Sequence, residues 1–179
     1  MKSLTLLNPA KLAALSDVLT ECKDIPGDLA ELGVYRGGIA KVMASHSPAK
    51  TVRLFDTFAG IPQHEESDAF HKAGEFACSL DEVRAFLSDC PNVVYHVGTF
   101  PETAAGDVFS VVHLDADLYQ STLDGLRYFW PRLSPGGALV LDDWHWRFCE
   151  GVTRAIADFF DKAFGGEVRT EHQLIVWKP

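Results

Sequence analysis

Apolar positions along the chain fall into two alternating patterns. In "NPAKLAALSDVLTEC" Leu12, Leu15 and Leu19 recur at three to four residues and Asn8 stands as a cap ahead of Pro9, which predicts a helix. "GDLAELGV" predicts a strand ending near Gly33, "GGIAKVMASH" the helix after it, and "TVRLFD" a second strand closing on Asp56. "SLDEVRAFLSD" places Ser79 three residues before Glu82, a capping-box spacing, with Val83, Phe86 and Leu87 on one face. "NVVYHVG" and "FSVVHLD" predict the third and fourth strands. "YQSTLDGLRYFWPRL" predicts a helix shortened or kinked by Pro131, "GGALVLDD" a fifth strand, "GVTRAIADFFDKAF" a helix, and "EHQLIVWK" a final strand.

Near-continuously apolar strands alternating with helices predict an α/β fold: a mainly parallel sheet covered by helices on both faces. Ligands of such open sheets bind outside the carboxyl ends of the strands. Acids gather at those ends: Glu31 beside Gly33, then Asp56, Asp115, and the pair Asp142 and Asp143. Residues 57–78 make a connection unusually long for a compact domain, and are expected to form a lid or substrate loop.

Composition narrows the partners. The 179 residues suit one domain, and 47% hydrophobic with 23% charged residues is ordinary for a globular chain. A formal charge of −9 argues against nucleic acid and anionic membrane surfaces, and favours a small neutral or cationic ligand. No run approaches the roughly 20 apolar residues of a membrane span. Pro9 interrupts an N-terminal apolar run too short for a signal-peptide core. Cys22, Cys78, Cys90 and Cys149 lie far apart with no CxxC pair, which speaks against zinc or thioredoxin-like chemistry and fits a reducing cytoplasm.

Two constellations carry candidate chemistry. In "ELGVYRGG" Gly33 permits a tight turn and close backbone approach, and Gly37 and Gly38 open a helix whose free N–H groups face a ligand. The spacing is neither GxGxxG nor a P-loop, which counts against a nicotinamide dinucleotide; the plain alternative is an ordinary βα turn. Asp56, at the end of the second strand about 20 residues on, is placed for the ribose hydroxyls of a nucleoside cofactor.

In the second constellation, the consecutive Asp142 and Asp143 can converge with Asp115 only if their strand has ended. Crowded carboxylates raise one another's pKa unless a cation neutralises them, and oxygen-only ligation suits Mg²⁺ or Mn²⁺. The alternative is that Asp142 or Asp143 caps the next turn. Asp117 is read as capping or solvating the helix beginning near Tyr119. His145, between Trp144 and Trp146, is a candidate base, metal neighbour or substrate contact, with packing as the alternative. His64 and His71 are read as surface residues unless the long loop closes, and His113 as a core residue.

Taken together, "DLAELGVYRGGIAKVM", "LFDTFAGIP", "HLDADLYQSTLDGLRYFWPRLSPGGALVLDDW" and "GVTRAIADFF" resemble the macrocin O-methyltransferase family, the TylF/MycF type of S-adenosylmethionine-dependent sugar O-methyltransferases. The resemblance runs over roughly residues 25–160. It implies a Rossmann-like class I methyltransferase fold in a single domain, residues 1–179, with an N-terminal helix in residues 1–24 and a seven-stranded sheet whose last strand is antiparallel. It implies S-adenosylmethionine and Mg²⁺ as cofactors, and a hydroxyl of a small acceptor, a sugar or natural-product intermediate, as substrate. Homo-oligomer formation is left open.

By the same resemblance, Glu31 and Gly33 line the cofactor's methionine side, with Val34 and Tyr35 in the same loop. Asp56 accepts the ribose hydroxyls, flanked by Thr57 and Phe58, and Gly98 and Thr99 lie near the adenine. Asp115, Asp142 and Asp143 match the Mg²⁺ ligands; Asp115 is the first candidate base and His145 the second. Leu118 stands where related catechol and caffeoyl-CoA methyltransferases carry a lysine, so that position offers no lysine base. Ile39 stands where many relatives have a serine that contacts the cofactor carboxylate.

Overall fold

In the computed structural model, which describes residues 8–62, 70–160 and 165–179, seven strands form one sheet. They are β1 (Asp28–Leu32), β2 (Val52–Asp56), β3 (Val93–Val97), β4 (Phe109–Leu114), β5 (Leu133–Asp142), β6 (Gly166–Thr170) and β7 (Gln173–Trp177). Their order is β3-β2-β1-β4-β5-β7-β6. Strands β1 to β5 pair in parallel, whereas β7 is antiparallel to both β5 and β6.

Helices cover both faces, which is why the central strands read as unbroken apolar runs. Helices α1 (Pro9–Glu21), α2 (Gly38–His46) and α3 (Leu80–Phe86) bring Leu15, Val18, Ile39, Met43 and Val83 against Leu29, Leu54, Val111 and Val140. On the opposite face α4 (Tyr119–Phe129) and α5 (Glu150–Phe160) bring Leu126, Phe129, Val152 and Ile156 against Leu32, Val112, Leu114, Leu139 and Leu141. Alternate strand residues thus serve opposite cores, and each fully buried side chain contributes about 1.5–3 kcal/mol of transfer free energy.

Local signals set the helix ends. Asn8 Oδ1 accepts from the Lys11 N–H at 2.9 Å with Pro9 in the first turn, so α1 starts where the cap predicts. Ser79 Oγ accepts from the Glu82 N–H at 3.4 Å. Pro131 ends α4, and Trp130–Arg132 form a single 3₁₀ turn. The sequence pattern misses β6, because Gly166, Glu167 and Val168 are exposed on an edge strand and carry no core signal.

The order also positions the site. From β1 the chain builds outward through β2 to β3, and from β4 in the other direction through β5, so the sheet reverses between β1 and β4. The two strand ends touch there: the Asp115 N–H donates to the Leu32 carbonyl at 2.9 Å. A Cβ on Gly33, whose φ is +89°, would sit 1.8 Å from the Asp115 carbonyl oxygen, so only glycine fits. Among the described residues no helix is long and apolar enough to cross a membrane.

Candidate active site

A cavity of about 530 Å³ opens over this reversal point. Gly33, Tyr35, Asp56, Thr57, Gly98 and Thr99 line one part of it and Asp115, Asp117, Asp142 and Asp143 another. Ile61, Pro62, His71 and Phe76 bring both described limbs of the 57–78 connection into its wall. The limbs are tied to each other by Ile61 N–H to Glu75 O and Gly74 N–H to Ile61 O, both 2.8 Å. His64 lies outside the described residues.

Asp56 holds the nucleoside side together. One carboxylate oxygen accepts from the N–H groups of Val34 at 2.7 Å and Tyr35 at 2.9 Å, and the other from that of Phe58 at 2.7 Å. Its backbone carbonyl accepts from the Gly98 N–H at 3.0 Å. The carboxylate thus ties the β1–α2 loop to the start of the connection after β2, and the oxygen that accepts from Phe58 alone keeps capacity for a sugar hydroxyl. Val34 and Phe58 take part through their N–H groups, while their side chains join the core. Ile39 is buried in that core, so α2 offers no side-chain hydroxyl there.

Glu31 is 1% exposed beneath the same loop, and its Oε2 has no hydrogen-bond partner among the described residues. Burial, then the nearby Asp56, pushes its carboxyl well above the ordinary range. An acceptor orphaned in this way is costly unless a donor arrives.

At the acidic end, oxygens of Asp115, Asp117 and Asp143 all lie within 4.8 Å of one another. Burial, then Asp142, raises the carboxyls of Asp115 and Asp143; burial, then Asp143, raises that of Asp117. Asp117 and Asp143 lie within hydrogen-bond reach. Strand β5 ends at Asp142, and Asp143 turns with φ 58°, so the neighbouring acids diverge.

Two expectations need correction. Asp117 does not cap α4: Leu118 is the cap residue, no side chain caps the helix, and a left-handed backbone at Asp117 (φ 59°) swings its carboxylate into the acid cluster. Asp142 lines the same cavity and is the nearest charged neighbour of Asp115 and Asp143, while its Oδ1 lies 2.6 Å from Lys11 Nζ. His145 is exposed and outside the cavity wall, with its ring against Trp144 and its N–H donated to Thr153 Oγ1 at 2.9 Å. His113 is a core residue as read, with burial pushing its pKa down to about 4.

Sequence reasoning missed Lys11 as a site residue and left His71 conditional on closure of its loop. Lys11 joins Leu15, Val18 and Cys22 on the buried face of α1, and that spacing of four, three and four residues marks a lysine placed where solvent is absent. His71 is carried into the cavity by the 70–78 limb, with a side chain only 10% exposed.

Residues 2–165 match the model of the macrocin-O-methyltransferase (TylF) family. The chain belongs to this family. Among TylF-like relatives, it is 36% identical over 142 residues to the 8-demethyl-8-(2,3-dimethoxy-alpha-L-rhamnosyl)-tetracenomycin-C 4'-O-methyltransferase of Streptomyces olivaceus, covering 67% of this chain and 54% of that protein. It is 29% identical to the mycinamicin III 3''-O-methyltransferase of Micromonospora griseorubida, over 99% of this chain and 76% of that protein. The chain thus spans about half the length of the first of these relatives. In three dimensions it is similar to the O-methyltransferase NovP, with a TM-score of 0.86 and 26% identity over 99% of this chain and 83% of that one. The TylF family match and the NovP likeness agree with the seven-stranded sheet found here.

Proposed function

We propose that the protein is an S-adenosylmethionine-dependent O-methyltransferase whose acceptor is a hydroxyl on a small sugar or sugar-bearing natural-product intermediate. The observation that carries this reading is the contact of Gly33 with Asp115, which sets the glycine loop of β1 against the acid cluster of β4 and β5 inside one cavity. Family membership and the relatives' named reactions, all O-methylations, support it.

The residues present fit both implied groups. Glu31 Oε2 is a buried acceptor in need of a donor, and the cofactor's α-ammonium is one. Gly33, Tyr35 and Thr57 would form the floor of the seat, and Gly98 and Thr99 its adenine side. Asp115, Asp117 and Asp143 offer only oxygens, and their raised pKa values record a repulsion that a hard divalent cation relieves. Asp142 lines the same cavity with one carboxylate oxygen paired to Lys11, and its other oxygen would be open to the cation.

Bound there, S-adenosylmethionine would supply a methyl carbon on a sulfonium sulfur, the C–O bond forming as the C–S bond breaks, and Mg²⁺ would supply Lewis acidity toward the acceptor oxygen. Asp115 takes the hydroxyl proton. Tyr35, Phe76 and Trp146 line the cavity with aromatic surface that keeps water from the reacting atoms and offers faces on which a sugar ring can stack.

Mass spectrometry of reactions holding S-adenosylmethionine, Mg²⁺ and a panel of glycosylated and simple polyhydroxylated acceptors tests the proposal. A product heavier by one methyl group, lost on adding EDTA and in Asp117→Asn, is expected. Absence of methylated product from every acceptor would contradict it.

A further inference from the structure

Beside the acid cluster lies a second grouping, which shares Asp117 with it and adds two side chains, His71 and Cys149, that the proposed methyl transfer does not use. His71 from the 70–78 limb, Asp117 from the end of β4 and Cys149 from the turn before α5 place one ligand atom each within 4.8 Å of one another. Cys149 is 3% exposed, and all three residues line the cavity. We propose that His71, Asp117 and Cys149 form a binding site for a zinc-class cation, distinct from the oxygen-only site and sharing Asp117 with it.

Two features of the geometry point to a metal rather than to incidental packing. The first is spacing. Zn–N and Zn–S bonds of about 2.05 and 2.3 Å at a tetrahedral angle give an N···S edge of about 3.6 Å. His71 Nε2 and Cys149 Sγ stand 3.4 Å apart, so that edge is already set, and the carboxylate needs only a small approach. The second feature is the far side of the imidazole. Nδ1 of His71 is buried without a hydrogen-bond partner among the described residues, and Glu75 Oε2, which accepts from the Lys72 N–H at 3.1 Å, stands 3.5 Å from it, close enough to accept after a small approach. A carboxylate behind the second ring nitrogen is the arrangement that fixes the tautomer and orientation of metal-bound histidines.

Ligand chemistry selects the ion. One imidazole, one sulfur and one carboxylate suit Zn²⁺ far better than Mg²⁺, and three protein ligands leave a fourth position open to the cavity. On binding, the Zn–S bond forms as the Cys149 thiol proton passes to solvent. In the metal-free protein that thiol donates to Asp143 Oδ2 at 3.4 Å, a contact given up when the proton leaves the sulfur. The ion would fasten the 70–78 limb to the turn after β5, across the acidic end of the cavity. CxxC spacing has no part in such a site, because its ligands come from three separate segments.

The reading does not depend on methyl transfer and is tested without turnover. Reduced, metal-free full-length protein is titrated with Co²⁺. One equivalent is expected to give the intense visible bands of tetrahedral cobalt and a near-ultraviolet thiolate charge-transfer band, both erased by Zn²⁺. Cys149→Ser should lose the charge-transfer band while Cys78→Ser keeps it. Glu75→Gln should keep the band and weaken affinity about 10–100-fold. Near-ultraviolet circular dichroism of each variant separates misfolding from ligand loss. No charge-transfer band in the wild-type protein, or a band that survives in folded Cys149→Ser, would overturn the proposal.

Discussion

Lys11 Nζ lies 2.6 Å from Asp142 Oδ1, and both side chains are nearly sealed from solvent, at 11% and 5% exposure. The first helix therefore supplies the cation for one acid of a crowded strand end, beside the cluster of Asp115, Asp117 and Asp143.

Removing one partner strands the other. Lys11→Met leaves Asp142 as a buried uncompensated charge and should cost about 3–5 kcal/mol in urea unfolding. The double variant Lys11→Met/Asp142→Asn should recover most of that loss. A single variant as stable as the wild type would show that the pair is not buried in solution.

Gly33 allows no side chain. In Gly33→Ala the new methyl would meet the Asp115 carbonyl oxygen at 1.8 Å in a left-handed backbone, so roughly 2–4 kcal/mol of stability should be lost. Gly165→Ala, with open space around it, should change unfolding by less than about 0.5 kcal/mol. Equal effects at the two positions would remove the argument for contact between the ends of β1 and β4.

These two relationships also show what was legible in the chain. Periodicity located the central strands and the five helices of the described residues, since a strand buried on both faces and a helix with one apolar stripe leave clear marks. Edge strand β6 left none, because Glu167 and Val168 face solvent. Within the site, Gly33 and Asp115 could be singled out by position at strand ends. The entry of Asp117 into the acid cluster and the pairing of Asp142 with Lys11 could not: they depend on positive φ at Asp117 and Asp143 and on a lysine more than a hundred residues away. His145 drew notice by standing next to acids in sequence, yet the turn after β5 directs it outward.

Glu31 gives a pH signature of known sign. Its carboxyl is raised by burial and by Asp56, so the folded state binds a proton more readily than the unfolded chain. The resulting stability is present at low pH and is lost as pH rises through the folded value. Glu31→Gln, neutral throughout, should raise the melting temperature of the ligand-free protein above that value and leave it unchanged in acid. The same variant should weaken S-adenosylhomocysteine binding about 10–100-fold where Glu31 is ionised, through loss of a charge-assisted hydrogen bond. A pH-independent difference in melting temperature would mean that Glu31 does not titrate in this way.

Calorimetric titration with S-adenosylhomocysteine tests the central claim most directly, since every step of the proposed reaction begins at the glycine loop. Saturable binding of one molecule per chain is predicted, weakened in Asp56→Ala because the Val34, Tyr35 and Phe58 N–H groups lose their common acceptor. No binding at millimolar ligand to the folded wild-type protein would contradict the account.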